Sequence, residues 1–173
     1  HDALPISVQF PPDDFFVTGV RASVLWGQHR KMFGFDLGAL GNITEQDFVG
    51  VGVSGIFNMT HGATTILGLQ AAGIANMNGE KTGVYGVQIA GAINSNTATS
   101  SVTGLQAALL ANLSPNTNIY GLQVSVYNKA QDVYGIQLGL VNVATNLHGL
   151  QIGLINFHQK GLFAMSPILN VGF

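Results

Sequence analysis

A chain of 173 residues with 8% charged side chains, 47% hydrophobic ones and a mean hydropathy of +0.35 is one domain's worth of polypeptide, too apolar to stay disordered. A net charge of -2 without a basic stripe argues against nucleic acid as a partner. The absence of Cys excludes disulfides, thiolate metal sites and Cys nucleophiles, and no apolar run reaches the roughly 18 residues of a membrane helix.

The chain opens His1-Asp2-Ala3-Leu4-Pro5-Ile6, which reads residue for residue as a translated sequencing adapter. Residues 1–6 are therefore set aside from fold reasoning. That origin implies a shotgun assembly whose true N-terminus, with any signal peptide, is expected to be missing. Residues 7–18 are read as an N-terminal cap or edge segment, with Val8 to Phe10 and Pro11-Pro12 covering one end of the fold.

Residues 19–160 form a nine-unit β-repeat domain. Each unit runs Gly-aliphatic-Gln-x-small and then reaches an Asn. The leading glycines are Gly19, Gly34, Gly50, Gly68, Gly86, Gly104, Gly121, Gly135 and Gly149, at spacings of 14 to 18 residues. Two positions after each glycine stand Arg21, Asp36 and Gly52, then Gln70, Gln88, Gln106, Gln123, Gln137 and Gln151. A second column holds Asn42, Asn58, Asn76, Asn94, Asn112, Asn128, Asn142 and Asn156. Residues 161–173 alternate back from Phe173 through Val171 and Leu169, as a capping strand would. Pro167 suits an edge position.

Within a unit the alternation has period two. Ile136, Leu138 and Leu140 share one face, and Gly135, Gln137 and Gly139 the other. The chain is therefore all-β. A 14-residue unit is too short to carry one long strand back to a parallel neighbour. Two architectures remain. The first is a repeat β-solenoid of about nine coils of 14–18 residues. The second is an up-and-down outer-membrane β-barrel of about ten strands.

The solenoid is favoured because the Gln-to-Asn spacer varies by one residue, which a corner tolerates and a continuous strand does not. Parallel stacking would also turn the Gln and Asn columns into amide ladders. In this reading Leu150, Ile152, Ile155 and Phe157 point inward, and Gln151 and Asn156 outward. In the barrel reading the aliphatic face meets lipid and Gln and Gly fill the lumen. Phe33, Tyr85, Tyr120, Tyr134 and His148 would then form the interfacial belt.

The run Val133-Tyr-Gly-Ile-Gln-Leu-Gly-Leu-Val-Asn-Val-Ala144 resembles bacterial surface-repeat proteins built from tandem GLQIGLVNVA-like units. Val17 to Gly27 and Gly34 to Gly38 are similar to the first two units of that family, and Pro167 to Phe173 to its closing segment. The resemblance covers the chain from about Val17 to Phe173. It implies an exported protein of the bacterial cell surface or outer membrane, and no catalytic residue. The three 18-residue copies at Gly50, Gly68 and Gly86 depart from the family's compact 14-residue form.

Candidate chemistry is sparse. Gly50-Val-Gly-Val-Ser-Gly55 matches G-x-G-x-x-G, but its glycines are repeat positions and no helix follows. The histidines lack metal-ligand spacing, and His148 sits where earlier copies carry Tyr. Asn42-Ile-Thr44, Asn58-Met-Thr60 and Asn112-Leu-Ser114 match the glycosylation sequon and are read as turn residues. Arg21 and Asp36 occupy one column of adjacent copies and would form an ion pair if stacked.

The expected function is a non-enzymatic bacterial surface or envelope repeat protein, serving as structural scaffold or binding surface. A small integral outer-membrane β-barrel is the alternative. No cofactor, metal or catalytic residue is expected. Association with the envelope or a membrane is open as a partner, and so is edge-to-edge self-association.

Overall fold

The computed structural model describes residues 16–161 and 163–173. The cap expected over residues 8–12 lies outside the described residues, as does the adapter-like hexapeptide. Long and short strands alternate at first: β1 (Phe16–Ser23), β2 (Trp26–His29), β3 (Lys31–Gly38), β4 (Gly41–Thr44), β5 (Phe48–Ser54), β6 (Phe57–Thr60), β7 (Thr64–Ala72), β8 (Ala75–Asn78), β9 (Thr82–Ala90), β10 (Ile93–Asn96) and β11 (Ser100–Ala108). Thereafter a short strand runs on into the next long one, giving β12 (Ala111–Val124), β13 (Tyr127–Leu138) and β14 (Val141–His158). The last strand is β15 (Met165–Gly172).

The long strands pair in parallel in the order β1-β3-β5-β7-β9-β11-β12, and the short ones in the order β2-β4-β6-β8-β10-β12. β12, β13 and β14 continue both stacks. The nine leading glycines align from Gly19 to Gly149, each opposite the next. The protein is therefore a parallel β-solenoid of about eight turns. This overturns the barrel, whose neighbouring strands would be antiparallel. Among the described residues only β15 runs against its neighbour, lying along the open edge of β14 with Gly172 opposite Gly149.

Closing such a coil requires the long strand to bend. A straight nine-residue run spans about 27 Å. The nine residues left in an 18-residue coil could only double back along it, enclosing nothing. The leading glycine supplies the bend. Gly86 has φ of 138°, a value closed to side-chain-bearing residues, and the other eight leading glycines also have positive φ. A Cβ on Gly86 would also run into the carbonyl oxygen of Gly68 in the coil before. Each coil thus has three runs of backbone, meeting at the glycine bend and at two corners.

The expected inside and outside are reversed. Gln137 and Gln151 are fully buried, as are Asn142 and Asn156, whereas Ile152 and Ile155 are exposed and Leu150 and Phe157 half-exposed. The apolar interior is a different column, two positions before each leading glycine from Gly34 onward: Met32, Phe48, Ile66, Val84, Val102, Ile119, Val133 and Leu147. The reason lies in the pleat. Gly-2 and Gly+2 positions share one side of a strand, so the Gln column and this apolar column face the same interior. Placing the aliphatic Gly+1 residues inside would have sent both columns out.

Coil length is adjusted at corners. An 18-residue coil turns Asn94, Asn96, Ser100, Val102, Gln106 and Ala108 inward, whereas a 14-residue coil turns in Asn128, Ala130, Val133 and Gln137. The glycine, Gln and Asn columns stay in register through both. Removing Gly135 through His148, one whole coil, should therefore leave a folded protein in which Gln151 stacks on Gln123 and Asn156 on Asn128. The variant is expected to keep its β-sheet circular dichroism and to melt cooperatively. Its stability should be lower by about one inter-coil interface. An unfolded deletion variant beside a folded parent would contradict this architecture.

Candidate functional site

The Gln column is a continuous chain of amide hydrogen bonds. Gln88 Nε2 donates to Gln70 Oε1 at 3.0 Å, and Gln106, Gln123, Gln137 and Gln151 each donate to the Gln one coil earlier at 2.7–2.9 Å. The last free acceptor, Gln151 Oε1, receives the Nδ2 of Asn170 from the antiparallel β15 at 3.2 Å.

The Asn column runs the other way. Asn42 Nδ2 donates to Asn58 Oδ1, and the donation continues through Asn76, Asn94, Asn112, Asn128 and Asn142 to Asn156 at 2.8–3.1 Å. From Asn42 to Asn142 each Asn also uses its Nδ2 on a backbone carbonyl of the following coil, just before the corner, and Asn156 reaches Ser166 O of β15 instead. Asn76 reaches Ile89 O and Asn94 reaches Ala107 O, both at 2.7 Å. The Asn amide thereby ties the end of the long strand in one coil to the corner of the coil before it. Asn42, Asn58 and Asn112 belong to this buried column and lie in strands, so these sequon residues are neither turn residues nor accessible acceptors.

At the N-terminal end the column changes chemistry. Arg21 Nε and Nη2 grip the Asp36 carboxylate at 2.8 and 2.7 Å, and both side chains are buried. Burial pushes the Asp36 carboxyl above its usual range, against the pull of the Arg21 guanidinium. Gly52 follows with no side chain. It leaves a void of about 10 Å³ lined by Asp36, Asn42, Thr60 and Gln70 among others, which is close to the volume one water needs.

Outside the coil, the surfaces differ sharply. The run before the glycine bend shows a column of rings: Tyr120 stacks on Tyr134 at 5.0 Å between centroids, and Tyr134 on His148 at 4.5 Å. Phe33 and Tyr85 lie further along the same column. The corner leading into this run is polar, with His61, Glu80, Lys81, Thr97, Gln131 and Lys160 exposed. The other two runs and the corner between them are aliphatic. Among the described residues, Lys129 is the one charged side chain on their outer faces.

The glycines of Gly50–Gly55 serve the bend and a corner, and no helix follows them. Among the described residues no three His, Cys, Asp or Glu side chains come together as metal ligands would. His158 has a structural contact that its sequence does not announce. The backbone N–H of Leu147 donates to its Nε2 at 3.1 Å, in the turn that leads into β15. Burial lowers the His158 pKa, and the nearby His148 lowers it further. No protein-family model matches the chain, and neither a curated protein nor a solved structure matches it.

Two outcomes are expected. Gln137→Lys should cost several kcal/mol, because it buries a charge and removes the Oε1 acceptor that takes Gln151 Nε2, breaking the column. Leu138→Asp, on the outer face, should cost under about 1 kcal/mol in buffer. Denaturant melts of the two variants check the order. The second outcome concerns pH. The unfolded chain binds the His158 proton more tightly than the folded one, so its contribution is present above about pH 6.5. It is lost as pH falls through the lowered folded value. The protection factors of the Met165–Gly172 amides, taken relative to the intrinsic exchange rate at each pH, should fall on acidification, and His158→Gln should remove that dependence.

Proposed function

We propose that the chain is an exported, non-enzymatic bacterial repeat protein of the cell surface or outer membrane, acting as a structural scaffold or binding surface. The observation that supports this most is where the polar groups go. The six Gln and eight Asn of the repeat columns are engaged in stacking one coil on the next. The repeated side chains are thus committed to holding a rod together, and the outward columns present long uniform strips. Such strips suit the covering of an extended surface or partner.

Tagged within its native reading frame, the protein is expected in the envelope fraction of its cell, with the tag cleaved by protease added to intact cells. Recovery in the cytosol, protected from protease until lysis, would overturn the reading. A scaffold should also tolerate Tyr134→Ser and His148→Ser without loss of surface display.

A further inference from the structure

The corner between the two aliphatic runs forms a ridge along the rod. Ile56, Ile74, Ala92, Leu110, Val126, Leu140 and Leu154 stand on it in successive coils, and Leu110 and Leu154 are 54% and 65% exposed. Leu25 and Leu40 continue it, so that eight inter-coil steps make the ridge about 38 Å long. On one flank lie the Gly+1 and Gly+3 columns, including Leu122, Ile136 and Ile152; on the other lie side chains such as Met77, Ile93 and Val143. A soluble monomer's largest apolar patch is typically 300–600 Å². Each flank alone, roughly 16 by 38 Å, reaches that size.

Two features identify what covers it. The first is that most of the ridge backbone makes its hydrogen bonds internally. The N–H groups of Ile56, Ile74, Ala92, Leu110 and Leu140 each donate to a ridge carbonyl of the preceding coil at 2.8–3.0 Å. The carbonyls just before the corner are held by the buried Asn amides. Such a corner can enter hydrocarbon, where unpaired backbone groups are costly. The second is shape. The ridge is convex, so one flat protein partner would cover one flank, roughly 600 Å², at the lower edge of a standard interface, and leave the other flank in water, whereas a bilayer covers both. A second copy of this chain offers faces and corners among its described residues, not a V-shaped groove to receive a ridge.

We propose that the chain lies on a lipid bilayer with its long axis in the membrane plane, the ridge and both flanks sunk among the acyl chains. The third run, opposite the ridge, faces water. The polar corner with Glu80, Lys81 and Lys160 stands at the far edge of one flank and the Tyr–His column beside the glycine bend at the far edge of the other, both at the headgroup level, where amphipathic rings are favoured, and Lys129 reaches toward the headgroups along its flexible stem. The inference concerns the purified chain and does not depend on export.

The test uses neutral phosphatidylcholine vesicles, since among the described residues Lys129 is the one charged side chain on the surface that meets lipid. Leu110→Trp and Thr99→Trp variants, each carrying Trp26→Phe so that a single Trp reports, are reconstituted from detergent into vesicles of brominated lipid. Strong quenching at residue 110 and little at residue 99 is expected. The triple variant Ile74→Glu/Leu110→Glu/Leu140→Glu changes only exposed side chains, so its circular dichroism should match the parent. Its co-flotation with vesicles should fall at least tenfold, whereas Thr97→Glu/Thr99→Glu/Gln131→Glu should float as the parent does. Equal quenching at both positions would overturn the proposal, as would undiminished flotation of the ridge variant. So would a parent that ignores vesicles and forms a defined oligomer that the ridge variant dissolves; the occupant would then be a second copy.

Discussion

A buried primary amide has two donors and an acceptor to satisfy, and this requirement organises the whole coil. Strands stacked in parallel repeat at about 4.8 Å, and an amide can bridge that gap to its copy above. Asn has a short arm, so its second donor reaches the backbone beside the corner, as when Asn94 holds Ala107 O. It therefore stacks the coils and fixes the corner at once. Gln has a longer arm and shares the interior with the apolar column of Val102 and Ile119. Neither position can be filled by an aliphatic residue without leaving the neighbouring coils' amides unpaired.

The repeat, its register and the solenoid topology were legible because glycine, Gln and Asn recur at fixed offsets whatever the coil length. The Arg21–Asp36 contact was legible for the same reason, since both residues occupy the Gln position of adjacent coils. The side facing inward was not. Assigning the aliphatic face to the core follows the usual behaviour of soluble proteins, and this chain departs from it. A signal was present in the columns themselves. The Gly+1 position changes freely among Val, Phe, Leu and Ile, as an outer surface allows, while the Gln and Asn positions scarcely change after Gln70 and Asn42. The barrel alternative had the wrong topology, yet it placed Gln inside and the aliphatic face outside, as the solenoid does.

The N-terminal coils show how far the interior rule can bend. Arg21 and Asp36 replace an amide pair by a charged one, which remains acceptable in a buried site only because each satisfies the other. Gly52 omits the side chain altogether, and Phe48 approaches the space it leaves. The ladder thus tolerates a substitution or a gap at its end, where fewer coils depend on it. The C-terminal end is closed differently, by Asn170 arriving on a strand of opposite direction.

The opposed donation of the two ladders has an electrostatic consequence. A primary amide has a dipole close to the ~3.5 D of a peptide unit. Aligned head to tail in a dry interior, a single column would build a field that grows with every coil added, positive at one end of the rod and negative at the other. Here the Gln dipoles point one way along the axis and the Asn dipoles the other, coil by coil. The two fields largely cancel at any length. A gene that duplicates one coil therefore lengthens the rod without charging its ends, and arrays of very different size can be built from the same unit.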